Sequence, residues 1–207
     1  TGTVSFANEG IASSQKIIFQ SGIAIPKANK IFAKGNFENT AGTVDFAKPV
    51  ELTGNATISA NDINFSDLNL KTYNIDLTTQ NLCFNKSVVS DNNATNIFTL
   101  KNLGSAEIKD GVQISCGKIN FTGNGTSSVN AANFQLNSLD GNISINDERF
   151  ASSAKITVNN EGIFIIDEKS KIQCSNLVQN GNGKNQLAGQ FVILENANFN
   201  TDVFVTD

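Results

Sequence analysis

Between Asp62 and Phe84 the chain reads DINFSDLNLKTYNIDLTTQNLCF, with apolar and polar residues alternating almost without a break. Alternation with period two marks a strand that buries one face. The pattern returns in Thr3 to Phe6, Gly22 to Ile25, Thr43 to Phe46, Ile63 to Leu70, Asn74 to Leu77, Asn142 to Ile145, Lys155 to Val158 and Lys171 to Cys174. Gly, Asn or Ser lies near each of these runs as a turn former. No convincing window longer than about two turns has the i, i+3, i+4, i+7 apolar spacing of an amphipathic helix. The chain is expected to be all-β.

The strands also repeat. Phe6, Ile25, Val44, Ile63 and Leu82 stand 19 residues apart and are all apolar; Phe46, Phe65 and Phe84 keep the same spacing two residues further on. A polar column, Asn36, Asn55, Asn74 and Asn93, repeats at 19 as well, preceded by Gly35, Gly54, Tyr73 and Asn92. Beyond residue 93 the register drifts. Pairs at 19 return in Leu100 with Ile119, in Leu139, Val158 and Leu177, in Ile172 with Phe191 and in Cys174 with Ile193. A helix-free repeat of this length is too short for a leucine-rich repeat or a propeller blade and suits one coil of a right-handed parallel β-helix. About ten coils spaced roughly 4.8 Å apart would form a rod of roughly 50 Å, with Phe over Phe inside and Asn over Asn at a bend. Residues 1–207 are thus expected to form a single solenoid domain. Pro26 and Pro49 fall at strand ends, where a missing N–H is tolerated. An antiparallel β-sandwich is the alternative, but it does not require constant spacing.

Composition narrows the function. With 39% hydrophobic residues, 207 residues can bury a sizeable core, and the 16% charged residues carry a net charge of −4 with one arginine, Arg149. Nucleic acid is not an expected partner, because phosphate binding relies on clustered Lys and Arg. The longest apolar runs, such as Ile163 to Ile166 and Phe191 to Leu194, are far too short for a membrane-spanning helix. Because the sequence begins at Thr1, a processed or excised chain is expected.

The absence of histidine removes Ser/His/Asp and Cys/His nucleophile arrangements and histidine metal sites. Cys83, Cys116 and Cys174 have no CxxC spacing; Cys116 and Cys174 follow Ile114 and Ile172 on the same strand face and are expected in the core, with Cys83 pointing outward. The acidic turn Asp140, Asp147, Glu148, Arg149 is the best local group for carboxylate chemistry, but a solvated turn with a local ion pair is the preferred reading, because no second acidic cluster stands 19 residues away. DGNISINDERFA starts like a calcium loop yet has Ile145 where Gly and Ala151 where Glu are required. NGNGKN around Lys184 lacks the leading glycine and the Ser/Thr of a phosphate loop. No cofactor or metal is expected.

Seven N-x-Ser/Thr sequons occur, at Asn55, Asn64, Asn85, Asn93, Asn120, Asn124 and Asn142. Asn64, Asn93 and Asn142 carry an aspartate two positions earlier and resemble acceptors of bacterial oligosaccharyltransferases of the campylobacter type. These three are the possible glycosylation sites.

The 19-spaced columns, with LDGNISIND and SAEIKDGVQISCGKINFTGNG, resemble the β-helical passenger regions of Gram-negative autotransporters and of the filamentous-haemagglutinin type of secreted adhesin. The three cysteines depart from that style. The resemblance implies an extracellular, cell-surface, non-enzymatic segment. Its partner would be a host-cell or bacterial surface receptor, or another copy of itself. It also implies a C-terminal outer-membrane barrel or a separate secretion partner outside these residues. Surface contacts are expected at outward strand positions such as Asn64, Asn69 and Asp76. A polysaccharide lyase or hydrolase on the same scaffold is the enzymatic alternative, and a structural self-association module is a third reading.

Overall fold

The computed structural model describes residues 3–6, 11–13, 17–19, 23–26, 30–33, 37–39, 43–46, 49–52, 54–65, 67–92, 94–123, 128–131, 134–138, 142–146, 150–152 and 155–205, with side chains in 49, 51–52, 54–65, 67–92, 94–123, 135–138, 142–145 and 155–205. Strands make up most of them, and no helix occurs among them.

Alternation dictates how a coil is built. In the strand Ala56–Phe65, Ala56, Ile58 and Ala60 are buried, Asn61 and Asp62 are not, and Ile63 and Phe65 are buried again. Two successive outward positions shift the phase of the pleat, so the strand turns a corner from one flat face to the next. Ile75–Phe84 repeats the device: Ile75, Leu77 and Thr79 point in, Gln80 and Asn81 out, Leu82 and Phe84 in. The polar Thr79 is tolerated inside because its single hydroxyl hydrogen has two carbonyl acceptors within reach at the corner, Asn61 O at 3.0 Å and Asn81 O at 2.8 Å.

Each coil thus has three straight runs, and equivalent runs stack into three faces. Face A passes through residues 56–60, 75–79, 98–102, 119–122, 143–146, 164–166, 185–187 and 203–205. Face B follows, by Cα pairing, Val4, Ala24, Val44, Ile63, Leu82, Ala106, Val129, Phe150, Ile172 and Phe191. Face C includes Val50, Leu68, Val88, Ile114, Leu136, Val158 and Gln179. All the pairings described are parallel, so backbone hydrogen bonds run from coil to coil. The fold is a β-solenoid with coils of about 21 residues, and the antiparallel sandwich is excluded.

The core is a pile of like residues, with no charged side chain buried among the described residues. Phe65 and Phe84 stack with centroids 5.5 Å apart and planes 13° apart. Phe84 then meets Phe98 at 5.9 Å, and Phe98 meets Phe121 at 6.1 Å, both in tilted contacts. Cys116 and Cys174 lie in this core and Cys83 on the surface side of its strand, as their spacing predicts.

The constant period of 19 holds only in part. Val44, Ile63 and Leu82 are one column, as are Phe46, Phe65 and Phe84, and Ile172 with Phe191 and Cys174 with Ile193 also pair. Ile25 instead pairs with Ser5, and Phe6 with Pro26, because the earlier coils are one residue longer. Ile119 pairs with Phe98 and Phe121 with Leu100; Val158 pairs with Leu136 and Leu177 with Ile156. The corners cause the drift. Ile75 pairs with Ala56, 19 residues earlier, but with Phe98, 23 residues later, because the corner after Ser90 has grown. Asn96 anchors that longer corner from inside: its amide donates to Tyr73 O and Ser90 Oγ, and its carbonyl accepts from the Gly117 N–H at 3.1 Å.

The expected asparagine ladder exists in modified form. Asn55 Oδ1 accepts the Asn74 N–H at 2.9 Å, and Asn74 Oδ1 accepts the Ile97 N–H at 2.8 Å. Ile97, not Asn93, therefore continues the column; Asn36 and Asn93 lie outside the described residues. Nearer the C-terminus a second ladder is buried. Asn160 Oδ1 accepts from Gln179 Nε2 at 2.8 Å, and Gln179 Oε1 accepts from the Asn200 N–H at 2.9 Å. Glycine is required beside it: a Cβ on Gly183 would run into the carbonyl oxygen of Gly162 one coil below.

Candidate functional site

The positions singled out from the sequence fall on different faces. Asp76 is exposed on face A, paired with Thr57 and Thr99. Asn64 is half-buried on face B, between Asp45 and Cys83. Asn69 is on face C. They do not form one contact surface. Asn142 is half-buried with its Oδ1 accepting the Ile163 N–H at 2.8 Å, so its amide already serves the coil ladder. Asn93 and the acidic turn Asp140, Asp147, Glu148, Arg149 lie outside the described residues. The NGNGKN segment is a corner: the Asn180 and Gly183 N–H groups donate to Val158 O and Asn160 O.

Of Asp76, Asn64 and Asn69, the last lines a concave site. Three successive runs of face C, Val50–Leu52, Leu68–Lys71 and Val88–Ser90, stack so that Glu51, Asn69 and Val89 form one outward column. Beside it Asp67 and Ser87 lead into the second and third runs, and Pro49 precedes the first. Together they line a groove of about 530 Å³, within the range of small-ligand sites. One rim is fixed by an irregularity. The pairing of the second and third runs slips between Asn69 and Lys71, and Lys71 takes a left-handed backbone with φ 54°. A lysine adopts this conformation only at a cost in steric strain. It is held by Asn69, whose Oδ1 accepts the Lys71 N–H at 2.9 Å, and by the Asp91 N–H, which donates to Lys71 O at 3.0 Å. The Lys71 ammonium then lies between Glu51, at 3.5 Å, and Asp91, at 3.9 Å.

These contacts divide the polar groups of the groove. Glu51 is ion-paired and the oxygen of Asn69 is committed to the backbone. Asp67 is exposed and without an ion pair among the described residues, and the Asn69 Nδ2 has no protein acceptor among them. Among the residues that line the groove, Glu51 and Asp67 are acidic and none is basic; the basic neighbours are Lys71, held by Glu51 and Asp91, Lys86, which precedes Ser87, and Lys30, whose backbone pairs with Glu51.

Face B carries a second polar column. Asn64, Cys83 and Glu107 are paired in successive coils. Burial, and then the Glu107 carboxylate with its oxygen 3.8 Å from the sulfur, push the Cys83 thiol up from its ordinary value. Cys116 is held at about 12 and Cys174 at about 11, both by burial. Thiolate is the reactive form, so all three thiols are slow nucleophiles. A maleimide at pH 8 is expected to add once to the folded protein, at Cys83, and to all three cysteines after denaturation in urea. Intact-mass spectrometry reads the adducts, and a second adduct on the native protein would show that the coils open.

Among the described residues, no group of three or more His, Cys, Asp or Glu side chains is placed to hold a metal ion, and no helix is long and apolar enough to cross a membrane. No family model, no curated protein and no solved structure matches the chain.

Proposed function

We propose that the chain is a segment of an extracellular bacterial surface protein, an autotransporter passenger or secreted adhesin, whose solenoid is a non-enzymatic scaffold presenting a binding face to a surface receptor. The observation that carries this reading is the stack of three parallel faces with a polar groove built across successive coils of face C. A parallel stack resists bending because every coil is hydrogen-bonded to its neighbours along three ladders. Such a rod keeps a lateral site at a fixed height and orientation. Outward columns rich in Asn, Ser and Thr suit contact with water and with hydroxylated ligands. The polar surface also suits the expected extracellular location.

Protease shaving of intact cells that produce the native protein tests this reading. Peptides from this chain are expected in the supernatant before lysis; their release only after lysis would defeat it. The enzymatic reading draws on the Glu51 and Asp67 carboxylates in the same groove. It predicts new reducing ends or unsaturated products from acidic polysaccharides incubated with the protein, whereas a scaffold releases none.

A further inference from the structure

We propose that the face C groove binds an oligosaccharide bearing amino groups, with Asp67 taking the ammonium and Asn69 and Glu51 the neighbouring hydroxyls. This inference rests on the binding-face reading above and names the receptor chemistry of that face.

A buried or half-buried polar site prefers a ligand that completes its hydrogen bonds, because an unmet donor or acceptor is costly once water is displaced. Asn69 Nδ2 is a donor with no protein acceptor among the described residues, and its partner must supply an oxygen. Glu51 holds Lys71 on one side and retains acceptor capacity, since a carboxylate has about four lone-pair sites. Ser87 Oγ accepts the Gln113 N–H at 3.1 Å, which leaves its hydroxyl hydrogen to donate. The groove thus offers acceptors, on Glu51 and Asp67, beside donors, on Asn69 and Ser87, as hydroxyls that both give and accept require. Pro49 and Val89, both exposed, supply apolar surface for the C–H face of a sugar ring.

Charge then selects among sugars. Lys71 is shared by Glu51 and Asp91, so it is not free to neutralise Asp67. An acidic sugar brought beside Asp67 and Glu51 meets like charge, and an amino sugar meets opposite charge. The volume, about 530 Å³, accommodates a short oligomer in place of a single ion.

Isothermal titration of the purified chain separates the possibilities, with glucosamine tetramer, cellotetraose and a galacturonate tetramer as probes of equal length and different charge. The glucosamine tetramer is expected to bind most tightly and the galacturonate tetramer most weakly. Asp67→Asn should lower affinity for the glucosamine tetramer about tenfold and change cellotetraose binding little. Asn69→Ala should weaken both. Circular dichroism on each variant checks that the coils remain folded. Tighter binding of the acidic tetramer, no binding of any probe at millimolar concentration, or an Asp67→Asn protein with unchanged glucosamine affinity would each overturn the proposal. These measurements use isolated protein, so they succeed or fail independently of where the protein resides in the cell.

Discussion

Phe84→Ala is expected to destabilise the protein by about 3–5 kcal/mol, read as a fall in the urea midpoint. Phe84 is 0% exposed and central to the aromatic pile, stacked on Phe65 and tilted against Phe98. Removing its ring deletes transfer free energy and opens a cavity between two coils, and neither neighbour can relax far into that space. The ladder on either side fixes their backbones. In a stack stabilised by nearest-neighbour contacts the damage also divides the rod. Coils on the two sides of residue 84 should unfold at separate urea concentrations in the variant. Hydrogen exchange resolves this: protection should fall around Ile63, Leu82 and Ala106 more than around Ile172 and Phe191. A loss below about 1 kcal/mol, or uniform loss along the chain, would mean that the pile is not packed as described.

The second large effect is alkaline. Burial holds the Cys116 thiol at about 12, whereas the unfolded chain releases that proton near the ordinary 9.0. The native state therefore keeps a proton that the unfolded state has already lost, and the stability linked to this group is complete below pH 9.0 and disappears as pH rises through about 12. Each pH unit within that window is worth about 1.4 kcal/mol, so the loss approaches about 4 kcal/mol at its upper end. Urea midpoints at pH 8, 10 and 11 should fall more steeply for the unchanged protein than for Cys116→Val. Every other ionisable group is common to the two proteins, so the difference between the two slopes isolates the thiol. Parallel slopes would show that the Cys116 site is wet.

Much of the architecture is legible in the residues because each coil repeats the same physical demand. Ile58, Ile63, Leu77 and Leu82 alternate with polar neighbours as half-buried strands must, and Phe65 with Phe84 reveals that the chain returns over itself. What the spacing hides is the elasticity of the corners. Faces are tied by ladders and keep their length, whereas the corner between Ser90 and Ile97 lengthens without disturbing either neighbour, so a constant period loses register there. The groove is hidden for a related reason. Glu51 and Asn69 are 18 residues apart and Asn69 and Val89 are 20 apart, so neither pair falls on a period of 19. Asn69 could be named as an outward position, but its neighbours could not. Nor does anything in the letter Lys71 announce a left-handed backbone; the slipped pairing and the Asn69 side chain create it.

The tolerant corner at 91–96 makes this chain a natural carrier for foreign peptides. A guest epitope spliced in after Asn92 would hang outside the stack, because Ala94 and Asn96 plug the interior on its return and Gly117 locks that plug to the coil above. Placed instead within a flat run such as Ile75 to Thr79, even a single added residue would turn every following side chain of that run inside out.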